Sequence, residues 1–122
     1  MGLYEDLPVY KRALDLAVYF EKTVRSFERY HKFTVGVDLK NLSRRILVLI
    51  AKANTKQFRK DCLAEALDKL EELKITLHLC KEVKAFHNFH SFEVAVKLVI
   101  EVSKQCEGWS RARISQEDKP EV

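Results

Sequence analysis

The chain has 122 residues, of which 47% are hydrophobic and 33% charged, and its net charge is +4. That length fits one domain with a hydrophobic core, and the balance excludes a disordered chain and a membrane-embedded one. Only three glycines and two prolines occur, and Gly36 and Gly108 bracket 71 residues that contain neither. Strand-rich folds need turn residues far more often, so the expected class is all-α.

The first helix is expected over about residues 7–30, with Asp6 as its cap and Pro8 in its first turn. Tyr10, Leu14, Ala17, Phe20, Val24 and Phe27 follow at spacings of 4, 3, 3, 4 and 3, which makes one apolar face. The pattern breaks at Arg29–Phe33, and Gly36 lies near the start of a second helix over about 34–55. Leu39, Leu42, Ile46, Leu49, Ile50 and Ala53 form its apolar face, and Asn54 and Thr55 weaken its end. A third helix is expected over about 60–86, with Leu63, Leu67, Leu70, Leu73, Leu77 and Cys80 inward. Ser91 is the expected cap of a fourth helix over about 91–109, whose stripe is Phe92, Ala95, Val99, Val102, Cys106 and Trp109. Residues 1–110 thus read as one bundle, and 111–122, with Arg111 and Arg113, as a flexible tail.

Short corners between long helices predict an antiparallel, up-down-up-down four-helix bundle. Val94, Val96, Leu98 and Ile100 lie outside the stripe of the last helix, and this extra apolar surface predicts a homo-oligomer. No apolar run approaches the roughly 18 residues of a membrane span, and the N-terminus lacks the pattern of a secretion signal. Gly2 does not make a myristoylation site, because residue 6 is Asp where Ser or Thr is needed. Cys62, Cys80 and Cys106 read as buried free thiols of a reducing cytoplasm, so a cytoplasmic protein with no membrane partner is expected.

The charge is unevenly distributed. Residues 1–31 hold five basic and five acidic side chains, whereas 32–60 hold eight basic and one acidic. Residues 61–90 come to −2 and 91–122 to −1. On a continuous helix Arg45, Lys52, Lys56 and Arg59 fall within a sector of roughly 60°, with Lys40 and Arg44 to one side and Lys60 to the other. No carboxylate lies between Lys40 and Lys60 to pair with them at i,i+4. Such a ridge, about 30 Å long, suits a phosphate backbone or an acidic protein surface better than one small anion. Phosphate contacts position a protein without reading bases, and no base-reading motif is present. Phe58, Tyr30 and Phe33 lie near the ridge's ends, where they could stack bases or pack in the core.

Catalytic signatures are absent: there is no phosphate loop, no nucleophile elbow and no H-E-x-x-H. His78 and Cys80 are two residues apart and diverge by about 200° on a helix. Only His87 and His90 have ligand-like spacing, so no metal and no cofactor are expected. Arg25 and His31 loosely fit the R-x(4–6)-H pattern of HEPN ribonucleases, in which such a pair would polarise a phosphate and activate a ribose hydroxyl.

Leu7-Pro-Val-Tyr-Lys-Arg-Ala-Leu-Asp-Leu-Ala resembles the opening of the four-helix-bundle superfamily that includes ribosomal-RNA intervening-sequence proteins. Within it, three segments resemble the accessory variability determinant (Avd) proteins of diversity-generating retroelements. They are Val37-Asp-Leu-Lys-Asn-Leu-Ser-Arg-Arg-Ile-Leu, Leu70-Glu-Glu-Leu-Lys-Ile-Thr-Leu-His-Leu-Cys-Lys-Glu, and Gly108-Trp109. The resemblance covers about residues 3–110, and its motifs are mostly helix-packing patterns. One departure is Cys106-Glu107 before Gly108-Trp109, where a second glycine would be expected.

The resemblance implies a homopentameric barrel with a basic surface and no enzymatic activity of its own. Its partners would be a retroelement reverse transcriptase and RNA or DNA, and its role the support of mutagenic cDNA synthesis. Carried onto this chain, the binding positions are Lys40, Arg44, Arg45, Lys52, Lys56, Arg59 and Lys60, with Lys11 and Arg12 as secondary candidates. The alternatives are a stand-alone RNA-binding bundle of the intervening-sequence type and a HEPN-like ribonuclease using Arg25 and His31.

Overall fold

The computed structural model describes residues 3–117, and all of the regular structure among them is helical. Four long helices form the molecule: α1 (Pro8–Thr23), α2 (Val35–Ala53), α3 (Lys56–Glu82) and α4 (Phe89–Glu117). In their principal contacts α1 touches α2 and α4, and α3 touches the same two, so the four close into a bundle around one core. Phe20, Leu16, Leu39, Ile46, Ile50, Leu70, Leu73, Val99 and Val102 fill that core.

α1 starts at Pro8 with Leu7 as its extended N-cap and no side-chain cap bond. Asp6, the expected cap, instead ends a 3₁₀ turn, Leu3–Asp6, that is closed by the Leu7 N–H donating to the Tyr4 carbonyl (3.0 Å). The buried stripe of α1 is Val9, Ala13, Leu16 and Phe20. The expected stripe is offset by one residue over the first half of the helix: Tyr10 is only partly buried and Leu14 is 40% exposed. Two apolar stripes run side by side on this helix, and periodicity alone cannot say which one faces the core.

α1 also ends about two turns before residue 30. Ser26 Oγ donates to the Thr23 carbonyl (2.7 Å) as the chain tightens into the 3₁₀ turn Val24–Ser26, and Phe27 is then extended. A hydroxyl that back-bonds to the preceding turn competes with helix propagation. One further turn, Arg29–Lys32, leads to α2. Gly36 is required there, because a Cβ would lie 2.6 Å from Val24 Cγ1 and 3.0 Å from the His31 carbonyl.

α3 begins at Lys56 rather than residue 60 and stops at Glu82 rather than residue 86. Its end is a Schellman turn. Lys84 has φ 57°, its N–H donates to the Lys81 carbonyl (3.2 Å), and the Ala85 N–H reaches the Cys80 carbonyl (2.9 Å). Asn88, not Ser91, caps α4, since Asn88 Oδ1 accepts from the Ser91 N–H (2.8 Å) one turn in. α4 then continues through 111–117 in place of the expected flexible tail, and residues 118–122 of that tail lie outside the described residues. The expected fourth stripe holds: Ala95, Val99, Val102 and Cys106 are buried, with Phe92 and Trp109 packed beside them. Of the surplus apolar positions, Val96 and Leu98 pack against the core, while Ile100 is 42% exposed.

Candidate nucleic-acid interface

The expected ridge is divided by the corner at Asn54–Thr55. Lys40, Arg44, Arg45 and Lys52 lie on α2, whereas Lys56, Arg59 and Lys60 occupy the first turns of α3. The basic residues therefore do not run along one rod. α2 spans about 28 Å, and its outer strip carries Arg44, Arg45 and Lys52, all exposed, with exposed Val48 between them. At the corner the strip turns and continues as Lys56 and Lys60, both exposed.

The arginines and the lysines differ in their partners. Arg44 Nη2 pairs with Glu21 Oε1 of α1 (3.2 Å), and Arg45 Nη2 with Glu65 Oε1 of α3 (3.0 Å). Arg12 lies between two carboxylates, Asp15 (3.1 Å) and Glu101 of α4 (2.9 Å). Among the described residues, Lys11, Lys40, Lys52, Lys56 and Lys60 make no ion pair within 4.0 Å. The carboxylates that meet Arg44 and Arg45 are 23 and 20 residues away in sequence, out of reach of any i,i+4 reading. All four bridges sit at half-exposed side chains, where an ion pair contributes about 0–1 kcal/mol and readily exchanges for another anion.

Arg59 has a structural job. Its Nε donates to the Ala53 carbonyl (2.9 Å) and its Nη2 to the Asn54 carbonyl (3.0 Å), so it satisfies acceptors left open at the C-terminus of α2. Its guanidinium carbon also lies 5.3 Å from the Trp109 ring centroid of α4. One side chain thus ties the α2–α3 corner to α4.

A depression of about 440 Å³ adjoins the corner, between the N-terminal turn and the end of α2. Tyr4, Tyr10, Leu47, Lys52, Asn54 and Thr55 line it. Tyr4 and Tyr10 meet edge to face with ring centroids 4.9 Å apart. No sequence signal marks this site, because it joins residues 4–10 to residues 47–55 only through the packing of α1 on α2.

Arg25 belongs to the 3₁₀ turn and His31 to the separate turn after it, with extended Phe27 between them. They share no hydrogen bond among the described residues, and the His31 ring packs edge to face on Tyr30 at 5.6 Å. His87 and His90 flank the capping Asn88, and no group of three or more metal-ligating side chains occurs among the described residues. Burial, with the charge of Asp38 second, pushes the Cys80 thiol up to about 12; burial and then Glu107 do the same at Cys106. Such thiols are protonated at neutral pH and poor nucleophiles. Cys62, also expected to be buried, is only partly so. No described helix is long and apolar enough to cross a membrane.

The chain matches no family model, no curated protein and no solved structure.

Proposed function

We propose that this protein is a non-enzymatic accessory subunit of the Avd type. Its basic surface would hold template RNA or cDNA beside a retroelement reverse transcriptase in the cytoplasm. The observation that carries the nucleic-acid part is the corner cluster of Lys52, Lys56 and Lys60, three exposed cations without a carboxylate partner among the described residues. Compact ammonium groups on mobile stems suit phosphate contacts that need no fixed orientation. Arg44 and Arg45 extend the surface, since their bridges can open to phosphate at little cost. Arg12 contributes less, because two carboxylates already surround it.

Cross-helix pairs support the up-down-up-down order: Tyr19 of α1 with Ser91 of α4, Arg12 with Glu101, Arg44 with Glu21, Arg45 with Glu65, and Arg59 with Trp109. In the helix pair joined twice, α1 and α4, later residues of one meet earlier residues of the other. Exposed Leu14 and Val18 on α1, Ile75 and Leu79 on α3 and Ile100 on α4 support assembly into a homo-oligomer. Five copies is the number that the family resemblance implies.

The test is a charge-reversal variant, Lys52→Glu/Lys56→Glu/Lys60→Glu, measured for retention of RNA and of the partner polymerase. Loss of both with unchanged helical circular dichroism is the expected result. Retention of RNA and polymerase by the folded variant would refute the corner's role. RNA binding without any reverse-transcriptase binding, in the native protein, would favour the intervening-sequence type.

A further inference from the structure

The depression beside the basic corner has the composition of a base pocket. The 3₁₀ turn Leu3–Asp6 brings Tyr4 back toward α1, where it meets Tyr10. Both rings line the pocket, as does Leu47 of α2. Asn54 and Thr55 line the same pocket, and neither side chain makes a hydrogen bond among the described residues. An amide and a hydroxyl together can donate to and accept from the edge of any base. Lys52 lines the pocket as well, and Lys56 lies just across the corner at the start of α3, both without an ion pair among the described residues.

We propose that this pocket receives one unstacked base of a single-stranded nucleic acid, with Lys52 on the adjoining phosphate. The assignment rests on the nucleic-acid reading above and narrows it to single strands. Aromatic rings beside a basic track are the usual means of holding a single strand, and stacking is tolerant of base identity. A base in a duplex would first have to leave its stack, at a cost of a few kcal/mol. The pocket therefore discriminates single strand from duplex, which the lysines alone cannot do.

The experiment uses the full chain and a 12-nucleotide single-stranded RNA containing 2-aminopurine, with the same strand in a duplex as control. In the native protein, binding to the single strand is expected to change the 2-aminopurine fluorescence and to exceed binding to the duplex. Tyr4→Ala should weaken single-strand binding about 5- to 100-fold. It should leave duplex binding and the salt dependence as they were. Val48→Trp, at a 38% exposed position lining the pocket, should block it in the same way without entering the core. Tyr4→Phe should bind normally. If both blocking variants fold and bind the single strand like the native protein, the pocket assignment is overturned. Should Lys52→Glu still weaken both nucleic acids in that case, the basic surface survives without it. If the native protein binds neither nucleic acid, the underlying reading fails and the pocket falls with it.

Discussion

Single positions carry opposite expectations according to the space around them. Gly36→Ala places a methyl 2.6 Å from the buried Val24 side chain and 3.0 Å from a backbone carbonyl. It should destabilise the protein by about 1–3 kcal/mol. Gly108 lies within α4, and a methyl added there would meet nothing inside 4 Å, so Gly108→Ala should stabilise by up to about 1 kcal/mol. Urea unfolding of both variants checks the pair. The two glycines look alike in sequence, and only the close approach of Val24 separates them. The buried thiols make a pH prediction. Cys80 and Cys106 rise from 9.0 to about 12 on folding, so the folded chain keeps protons that the unfolded chain has lost in between. Stability from this source is complete below about pH 9 and declines as pH climbs toward 12. A Cys80→Ala variant should show a shallower alkaline decline in denaturant midpoint than the native protein.

At the scale of helices, the inward stripes of α2, α3 and α4 are legible from spacing, although α3 and α4 also carry apolar residues outside them, such as Ile75, Leu79 and Ile100. That of α1 is not, since Val9, Ala13 and Leu16 compete with Tyr10, Leu14 and Ala17 at the same period. Helix ends are less legible still. Lys84 takes a left-handed conformation at a position where glycine is the usual signal, and Asn88 caps α4 three residues before the serine that suits the role in sequence. Asn88→Ala should therefore destabilise by about 1 kcal/mol, whereas Ser91→Ala should not remove a cap. Arg59 makes the clearest case at this scale. In sequence it belongs to a charged face, yet it holds two carbonyls at the end of α2 and lies over Trp109. Arg59→Ala should lower stability, measurable as a reduced urea midpoint, while Lys60→Ala should not.

For the whole molecule, the excess positive charge of the sequence lies between residues 32 and 60, but neither its partners nor its path can be read from there. Pairing across helices neutralises part of it, through Glu21 and Glu65, while Lys52 before the corner at Asn54–Thr55 and Lys56 and Lys60 after it keep no carboxylate partner among the described residues. Those features depend on the packing of segments far apart in the chain. The central claim is that this corner binds nucleic acid electrostatically. The most direct measurement is the salt dependence of RNA affinity, by fluorescence anisotropy, for the native protein and for Lys52→Glu/Lys56→Glu/Lys60→Glu. The expected result is affinity that falls steeply with salt in the native protein, and a slope shallower by about 2–3 in the variant. Equal slopes and equal affinities for the two folded proteins would contradict the account.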